Sequence, residues 1–196
     1  MRFVIMADGK GIRWNNYLGI PKHLAEINGE PIISRTVRLL RDLTDGEIIV
    51  TSHDERYEFE GSRRHEPLKN RLEIDRFTEE LIEDDIFLYG DTYYTESALK
   101  TIICTKTEDM IFFGNSKSIV AVKVTDSELF RYHLNRVKQL YISGKLQKCK
   151  GWQVYHLYAG LPLESREIGR GYLITDSFTR DFNSPDDYND FIAGQV

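Results

Sequence analysis

The sequence predicts an α/β fold on a largely parallel sheet, and three observations carry that expectation. Strand and helix signals alternate along the chain, the pattern left by helices that cross between parallel strands. A short apolar run, Phe3-Val4-Ile5-Met6, opens the chain as a buried strand would. That run empties into a glycine-containing loop, Ala7-Asp8-Gly9-Lys10-Gly11-Ile12-Arg13, at the carboxyl end of a strand, where open α/β sheets bind ligands.

The elements follow in order. The first strand is about residues 2–6. A helix begins near Pro31, a favoured first-turn residue, with Ile33, Val37 and Leu40 on one face. Glu47-Ile48-Ile49-Val50-Thr51 is the second strand, and Ser52-His53-Asp54-Glu55 offers a capping box for a short helix. Residues 56–70 are charged and read as an exposed loop. A helix is expected near 72–83, a third strand over Ile86–Tyr89 ending at Gly90-Asp91, and a helix over 95–105. Two strands, 110–113 and 118–122, flank the turn Gly114-Asn115. Thr125 is placed to cap the next helix, whose apolar face is Phe130, Leu134, Val137 and Tyr141. Residues 152–175 mix aromatics, glycines and Pro162 and are expected to form strands. A final helix starts after Ser184, with Pro185 in its first turn and Asp186 and Asp187 at the positive end of its dipole.

Composition narrows the function. At 196 residues the chain is long enough for one domain with a sizeable core. Its net charge of −5 disfavours general nucleic-acid binding. Cys104 and Cys149 show no metal-ligand spacing and read as reduced thiols. No apolar run approaches a membrane span. The N-terminus opens on a strand without a signal-peptide pattern, so a cytoplasmic location is expected.

The opening loop suits a triphosphate. Glycines let backbone N–H groups approach phosphate oxygens, and Arg13 and Lys22 supply charge. A dinucleotide fingerprint would need glycine or alanine at position 14, where Trp14 stands; a Walker A loop would need Gly-Lys-Ser/Thr, which the sequence lacks.

Three motifs, in order, carry a resemblance. They are the apolar strand with Ala7-Asp8-Gly9-Lys10-Gly11-Ile12-Arg13 and Pro21-Lys22, then Phe87-Leu88-Tyr89-Gly90-Asp91, then Asp181-Phe182-Asn183-Ser184-Pro185-Asp186-Asp187. Ile27-Asn28-Gly29-Glu30-Pro31 is similar to the turn that opens the first helix. Together they resemble the nucleotidyltransferases of the sugar-phosphate cytidylyl, guanylyl and uridylyl type. The resemblance implies a Rossmann-like three-layer α/β/α sandwich with a mostly parallel sheet, the GT-A-like nucleotidyltransferase fold. Residues 1–196 would form a single domain, nucleotide-binding in its N-terminal part and acceptor-binding over about 115–180. Two positions depart from the pattern: Asp8 replaces a small residue, and Asn183 stands where many members have a second metal-binding aspartate.

The implied reaction joins a nucleoside triphosphate, CTP weakly preferred, to a phosphorylated sugar, polyol or similar phospho-alcohol and releases pyrophosphate. The acceptor phosphate is already a nucleophile, so the task is positioning and charge neutralisation. Arg13 would grip the triphosphate and Lys22 would stabilise charge at the α-phosphate. Ala7, Asp8, Gly9, Lys10, Gly11 and Gly90 complete the expected nucleotide contacts. Asp91 would hold Mg2+, with Asp181 or Asn183 as second ligand. Each has a plain alternative: Arg13 and Lys22 as solvated cations, Asp91 as a turn residue, Asp181 and Asn183 as part of a helix start. Asp8 is expected to face base or ribose rather than phosphate. The five histidines, Arg63-Arg64-His65, and Lys145 to Lys148 are taken as structural or solvated, and Tyr93 and Tyr94 as packing or as a border of the acceptor pocket. Competing functions are a molybdopterin-type guanylyltransferase and a non-catalytic nucleotide sensor of the same fold. No nucleic-acid or membrane partner is expected, and a homo-oligomer is compatible with the sequence.

Overall fold

The computed structural model describes residues 1–176 and 178–194. In chain order the strands and α-helices are β1 (Arg2–Met6), β2 (Glu26–Ile27), β3 (Glu30–Pro31), α1 (Ile32–Leu43), β4 (Glu47–Thr51), β5 (Arg63–His65), β6 (Asp85–Tyr89) and β7 (Thr92–Tyr93). Then come α2 (Glu96–Cys104), β8 (Met110–Gly114), β9 (Ile119–Val124), α3 (Ser127–Ile142), α4 (Gly151–Ala159), β10 (Tyr172–Ile174), β11 (Arg180–Asp181) and α5 (Pro185–Ala193).

Seven strands form one sheet in the order β10-β8-β9-β6-β1-β4-β5. β1 pairs in parallel with β4 and β6, β4 with β5, and β10 with β8. Only β9 runs against its neighbours, pairing antiparallel with β6 and β8. The central strand is covered on both faces, so Phe3, Val4 and Ile5 are all fully buried, as a continuous apolar run in a parallel strand requires.

Two apolar layers flank the sheet. Phe3, Ile5 and Val50 pack under α1 and α2 through Ile33, Val37, Leu40, Leu99 and Ile102. Val4, Ile49 and Phe87 pack under α3 and α4 through Phe130, Leu134, Val137, Val154 and Tyr155. The result is the expected three-layer α/β/α sandwich. Among the described residues, no helix is long and apolar enough to cross a membrane.

A third, smaller cluster matters most for the site. Trp14, Ala25, Ile27, Ile32, Phe182 and Phe191 pack together. Trp14 meets Tyr17 and Tyr188 edge-on at 5.3 and 5.7 Å, and its indole N–H donates to the Ile20 carbonyl at 2.8 Å. The loop after β1 is thus anchored to the C-terminal helix α5.

Several local expectations are corrected. The helix expected at 72–83 is two 3-10 turns, Glu73–Phe77 and Glu79–Leu81. The Asp75 carboxylate folds back to accept from the N–H groups of Arg71 and Leu72, at 3.0 and 2.8 Å, and Thr78 adopts a left-handed backbone (φ 44°), which stops helix propagation. Residues 152–175 are not mainly strands. They hold α4, ended by Gly160 at φ 72°, and then only β10. Val154, Tyr155 and Tyr158 are buried at helical spacing, so the aromatics there mark a helix face. Within the expected loop 56–70, Arg63-Arg64-His65 forms the edge strand β5, its charged side chains typical of a protected edge. Asp126, not Thr125, caps α3 by accepting from Leu129 at 2.8 Å. Asp54, not Ser52, caps the short turn Glu55–Tyr57. Tyr141 lies outside the buried face of α3, 37% exposed. Ser184 caps α5 as expected, reciprocated by Asp187.

Candidate active site

The loop 7–13 leaves β1 at the carboxyl edge of the sheet and is fixed from three sides. The Ala7 N–H donates to the Thr51 carbonyl at 3.1 Å, and the Asn70 side chain donates to the Asp8 carbonyl at 2.9 Å. From the β6 side, the Gly90 N–H donates to the Met6 carbonyl at 3.0 Å. A Cβ on Gly90 would lie 2.8 Å from that carbonyl oxygen and 3.2 Å from the Ala7 Cβ. Gly90 is therefore the point of closest approach between the loop and the third strand, and its place is in the wall behind the site.

Lys22 and Asp91 meet behind this loop. Pro21 leads into a 3-10 turn, Lys22–Leu24, whose first two side chains are buried. Lys22 Nζ is ion-paired with Asp91 Oδ2, each side chain only 8% exposed. Burial alone would raise the Asp91 carboxyl, but the surrounding cationic charge, that of Lys22 foremost, holds it below its usual range. His23 lies against Gly90 and contacts the Tyr57 hydroxyl at 2.9 Å. Burial, reinforced by Lys22, lowers its pKa to about 3, so its ring is neutral.

The third motif joins the same place. β11 pairs with β7, which sets Asp181 opposite Thr92, and the Phe182 N–H donates to the Asp91 carbonyl at 2.9 Å. Asn183 Oδ1 accepts from Arg13 at 2.5 Å, and its Nδ2 donates to Asp181. Arg13, Lys22, Asp91, Asp181 and Asn183, up to 170 positions apart in sequence, thereby line one cleft of about 560 Å3. Asp186 and Asp187 serve the α5 start instead.

Three clefts run along this edge and share Lys22. The first, about 570 Å3, is bounded by the glycine loop, Trp14, His53 and Tyr57. Asp8 faces it. Its carboxylate accepts from the His53 backbone N–H at 3.2 Å and contacts His53 Nδ1 at 3.0 Å. That hydrogen bond raises the His53 pKa. The second cleft carries the Asp91 set and is walled by Trp152, Gln153 and the loops around Lys117 and Arg166. The third, about 520 Å3, lies between residues 9–13 and 70–76.

Sequence reasoning missed four residues here. His53 lines the first cleft rather than being merely exposed. Arg76 and Lys150 line the second and third, and Lys148 the second. His53 and Arg76 stand in segments whose local structure differs from the expectation, Lys148 and Lys150 in the loop before α4, and nothing in their spacing marks them. Tyr93 and Tyr94 are packing residues. Tyr94 is buried and donates to the Val120 carbonyl at 2.5 Å, and Tyr93 lies under Arg35 with 4.0 Å to the ring centroid.

The oxygen-bearing side chains of Asp91, Asp181 and Asn183 line the same cleft, with the Asn183 amide oxygen accepting from Arg13 and Asp91 paired with Lys22. Carboxylate and amide oxygens are the donor type that magnesium takes, one or two carboxylates with the rest of its shell from water and phosphate. Oxygen donors of this kind do not suit zinc or a soft metal. Among the described residues, no group of three or more His, Cys, Asp or Glu that could hold a metal ion is gathered.

No protein-family model matches the sequence. No curated protein matches it. Solved structures do. The CTP:phosphocholine cytidylyltransferase from Streptococcus pneumoniae superposes with a TM-score of 0.65 at 15% identity, covering 100% of this chain and 99% of that one. The 4-diphosphocytidyl-2C-methyl-D-erythritol synthase from Anaerococcus prevotii gives 0.60 at 13% identity, over 99% and 97%. The inositol-1-phosphate CTP transferase from T. maritima gives 0.56 at 14% identity, over 98% and 94%. At these identities the likeness is one of fold: this chain has the Rossmann-like fold of nucleotidyltransferases, from end to end.

Proposed function

We propose that this protein is a magnesium-dependent nucleotidyltransferase that couples a nucleoside triphosphate, with CTP favoured, to a phosphorylated sugar, polyol or similar phospho-alcohol and releases pyrophosphate. One observation carries the reading. Residues from three distant motifs, Arg13 with Lys22, Asp91, and Asp181 with Asn183, converge on one cleft beside the glycine loop. The preference for CTP draws on similar solved structures whose names specify CTP.

In this reading the first cleft takes base and ribose, and the glycine loop lets backbone N–H groups reach the phosphates. The acceptor enters the second cleft, and its phosphate oxygen attacks the α-phosphorus in line while the bond to the bridging oxygen of pyrophosphate breaks. Arg13, held by Asn183, offers a planar fork to the triphosphate. Lys22 is buried and pre-oriented, so its charge acts at the α-phosphate in a low dielectric. Asp91 and Asp181, with Asn183 as an oxygen donor, would hold the magnesium ion, which when bound neutralises phosphate charge as a Lewis acid. No residue has to act as a general base, because the acceptor phosphate arrives ionised.

The test is pyrophosphate release from four NTPs against phosphorylated sugars, polyols and amino-alcohols, with magnesium and with EDTA. Release that needs an acceptor and magnesium supports the reading. Nucleotide binding without turnover across the whole panel would replace it with a sensor function.

A further inference from the structure

We propose that Arg76 is a phosphate-binding residue, and that the cleft between residues 9–13 and 70–76 seats the β- and γ-phosphates that leave as pyrophosphate. This rests on the nucleotidyl-transfer reading above and assigns that site a group outside its three motifs.

The placement of Arg76 is specific. It reaches from the 3-10 turn Glu73–Phe77 across the glycine loop. A Cβ built on Gly9 would stand 3.2 Å from its Nη2 and 3.4 Å from its Cζ. The guanidinium thus lies against the loop backbone that is read as the phosphate cradle, and the missing side chain at Gly9 makes the room. It is half-buried, yet among the described residues its guanidinium has no hydrogen-bond or ion-pair partner. A partly desolvated guanidinium without a counter-ion is costly unless an anion arrives to meet it.

The surroundings point the same way. The third cleft is lined by six cations, Lys10, Arg13, Lys22, Arg71, Arg76 and Lys150, against one acid, Glu73. Glu73 is taken by Lys150 at 2.9 Å, and Lys22 by Asp91. Among the described residues, Arg13 bonds a neutral amide and no acid. Among the described residues, Lys10, Arg71 and Arg76 are left without an acid. A cleft with that balance, opening beside a glycine loop, fits a polyphosphate and repels a cation. The first cleft shares Lys10 and Lys22 with the third but sets Asp8, Asp54, Trp14 and Tyr57 beside them, a mixed acidic and aromatic lining that suits a base and ribose. The chain thus separates the two ends of a nucleotide on either side of Lys22.

The experiment is calorimetric titration of the full chain with CTP, CMP and inorganic tripolyphosphate in magnesium, for wild type, Arg76→Gln, Arg76→Lys and Arg136→Gln. Tripolyphosphate reads the seat without a base, and CMP lacks the two phosphates at issue. Arg76→Gln is expected to weaken CTP and tripolyphosphate roughly 10- to 100-fold, as loss of a charge-assisted pair does, and to leave CMP within about two-fold. Arg76→Lys should recover part of the loss. Arg136→Gln, exposed on α3 and outside all three clefts, should leave tripolyphosphate unchanged. Equal weakening of CTP and CMP by Arg76→Gln, or no weakening at all, overturns the assignment while nucleotide binding by wild type stands. Wild type that binds none of the three probes overturns the assignment and the nucleotidyl-transfer reading together.

Discussion

Lys22 and Asp91 neutralise each other in the interior, 69 positions apart in the chain, with each side chain 8% exposed. Removing either alone leaves the other as a buried, unmatched charge, which costs about 3–5 kcal/mol. Lys22→Met and Asp91→Asn should therefore each lower the denaturation midpoint as well as turnover. The double variant should regain most of the stability and none of the activity, with turnover down roughly 100-fold or more. Urea titrations alongside pyrophosphate-release rates separate the two effects. A double variant as unstable as the singles would show that the pair does not control the fold.

The sequence made the central strands and the three motifs readable because each is a local pattern. Phe3 to Met6 is a fully apolar run, and Ser184-Pro185 followed by Asp187 is a complete helix start. The regions misread were decided by tertiary contacts. Asp75 turned back on the Arg71 and Leu72 amides and broke the expected helix. The aromatics of 152–158 look β-prone, but they fill the layer over Phe112 and the Trp152–Tyr172 stack. Arg63 to His65 carries no apolar signal, yet it completes the sheet because β4 has an open edge there. In the site, Arg13 and Asn183 were each legible, whereas their contact was not. It depends on the Trp14–Phe182–Phe191 cluster that folds the C-terminus onto the loop. Arg76 and His53 were invisible for the same reason, since a lone cation or histidine gains meaning only from what it faces.

Gly90 has no room for a side chain. Gly90→Ala would drive a methyl group toward the Met6 carbonyl oxygen, 2.8 Å from the added carbon, and the loop after β1 would have to shift. The expected destabilisation is about 1–3 kcal/mol, or a fall of several degrees in Tm for a chain of this size. Weaker nucleotide binding should accompany it. Gly169→Ala, with only ordinary contacts to Leu161 at 3.5 Å and beyond, is the control and should melt as wild type does. A Gly90→Ala protein with unchanged Tm and nucleotide affinity would remove the glycine from the architecture of the site.

Asp8 stands in the first cleft with its carboxylate fixed by His53. A fixed acceptor on that wall suits an exocyclic amine or a ribose hydroxyl, and it keeps negative charge away from the phosphate side. Asp8→Ala should lower kcat/KM for the preferred NTP relative to the other three by roughly ten-fold, the scale of one hydrogen bond to a charged group. His53→Ala should shift the same ratio less, because the backbone N–H still holds Asp8. The measurement is competition among four NTPs, and an unchanged ratio in Asp8→Ala would count against base or ribose contact.

His23 sets an acid limit on stability. Its ring is buried against Gly90 and Tyr57, and burial, with Lys22 beside it, brings its pKa from an ordinary 6.5 to about 3. The unfolded chain takes up a proton below pH 6.5 while the folded chain does not, so protons favour unfolding across that interval. Stability from this residue is complete above about pH 6.5 and falls by about 1.4 kcal/mol per pH unit below it, until the folded ring itself titrates. The Asp91 carboxyl, held below its usual range, adds its own loss only at lower pH, because its unfolded value is 3.8. Between pH 6.5 and 4.5 the histidine therefore dominates over that acid. Urea midpoints at pH 7, 5.5 and 4.5 should fall steeply for wild type and much less for His23→Gln. Parallel slopes in the two proteins would place the acid sensitivity elsewhere.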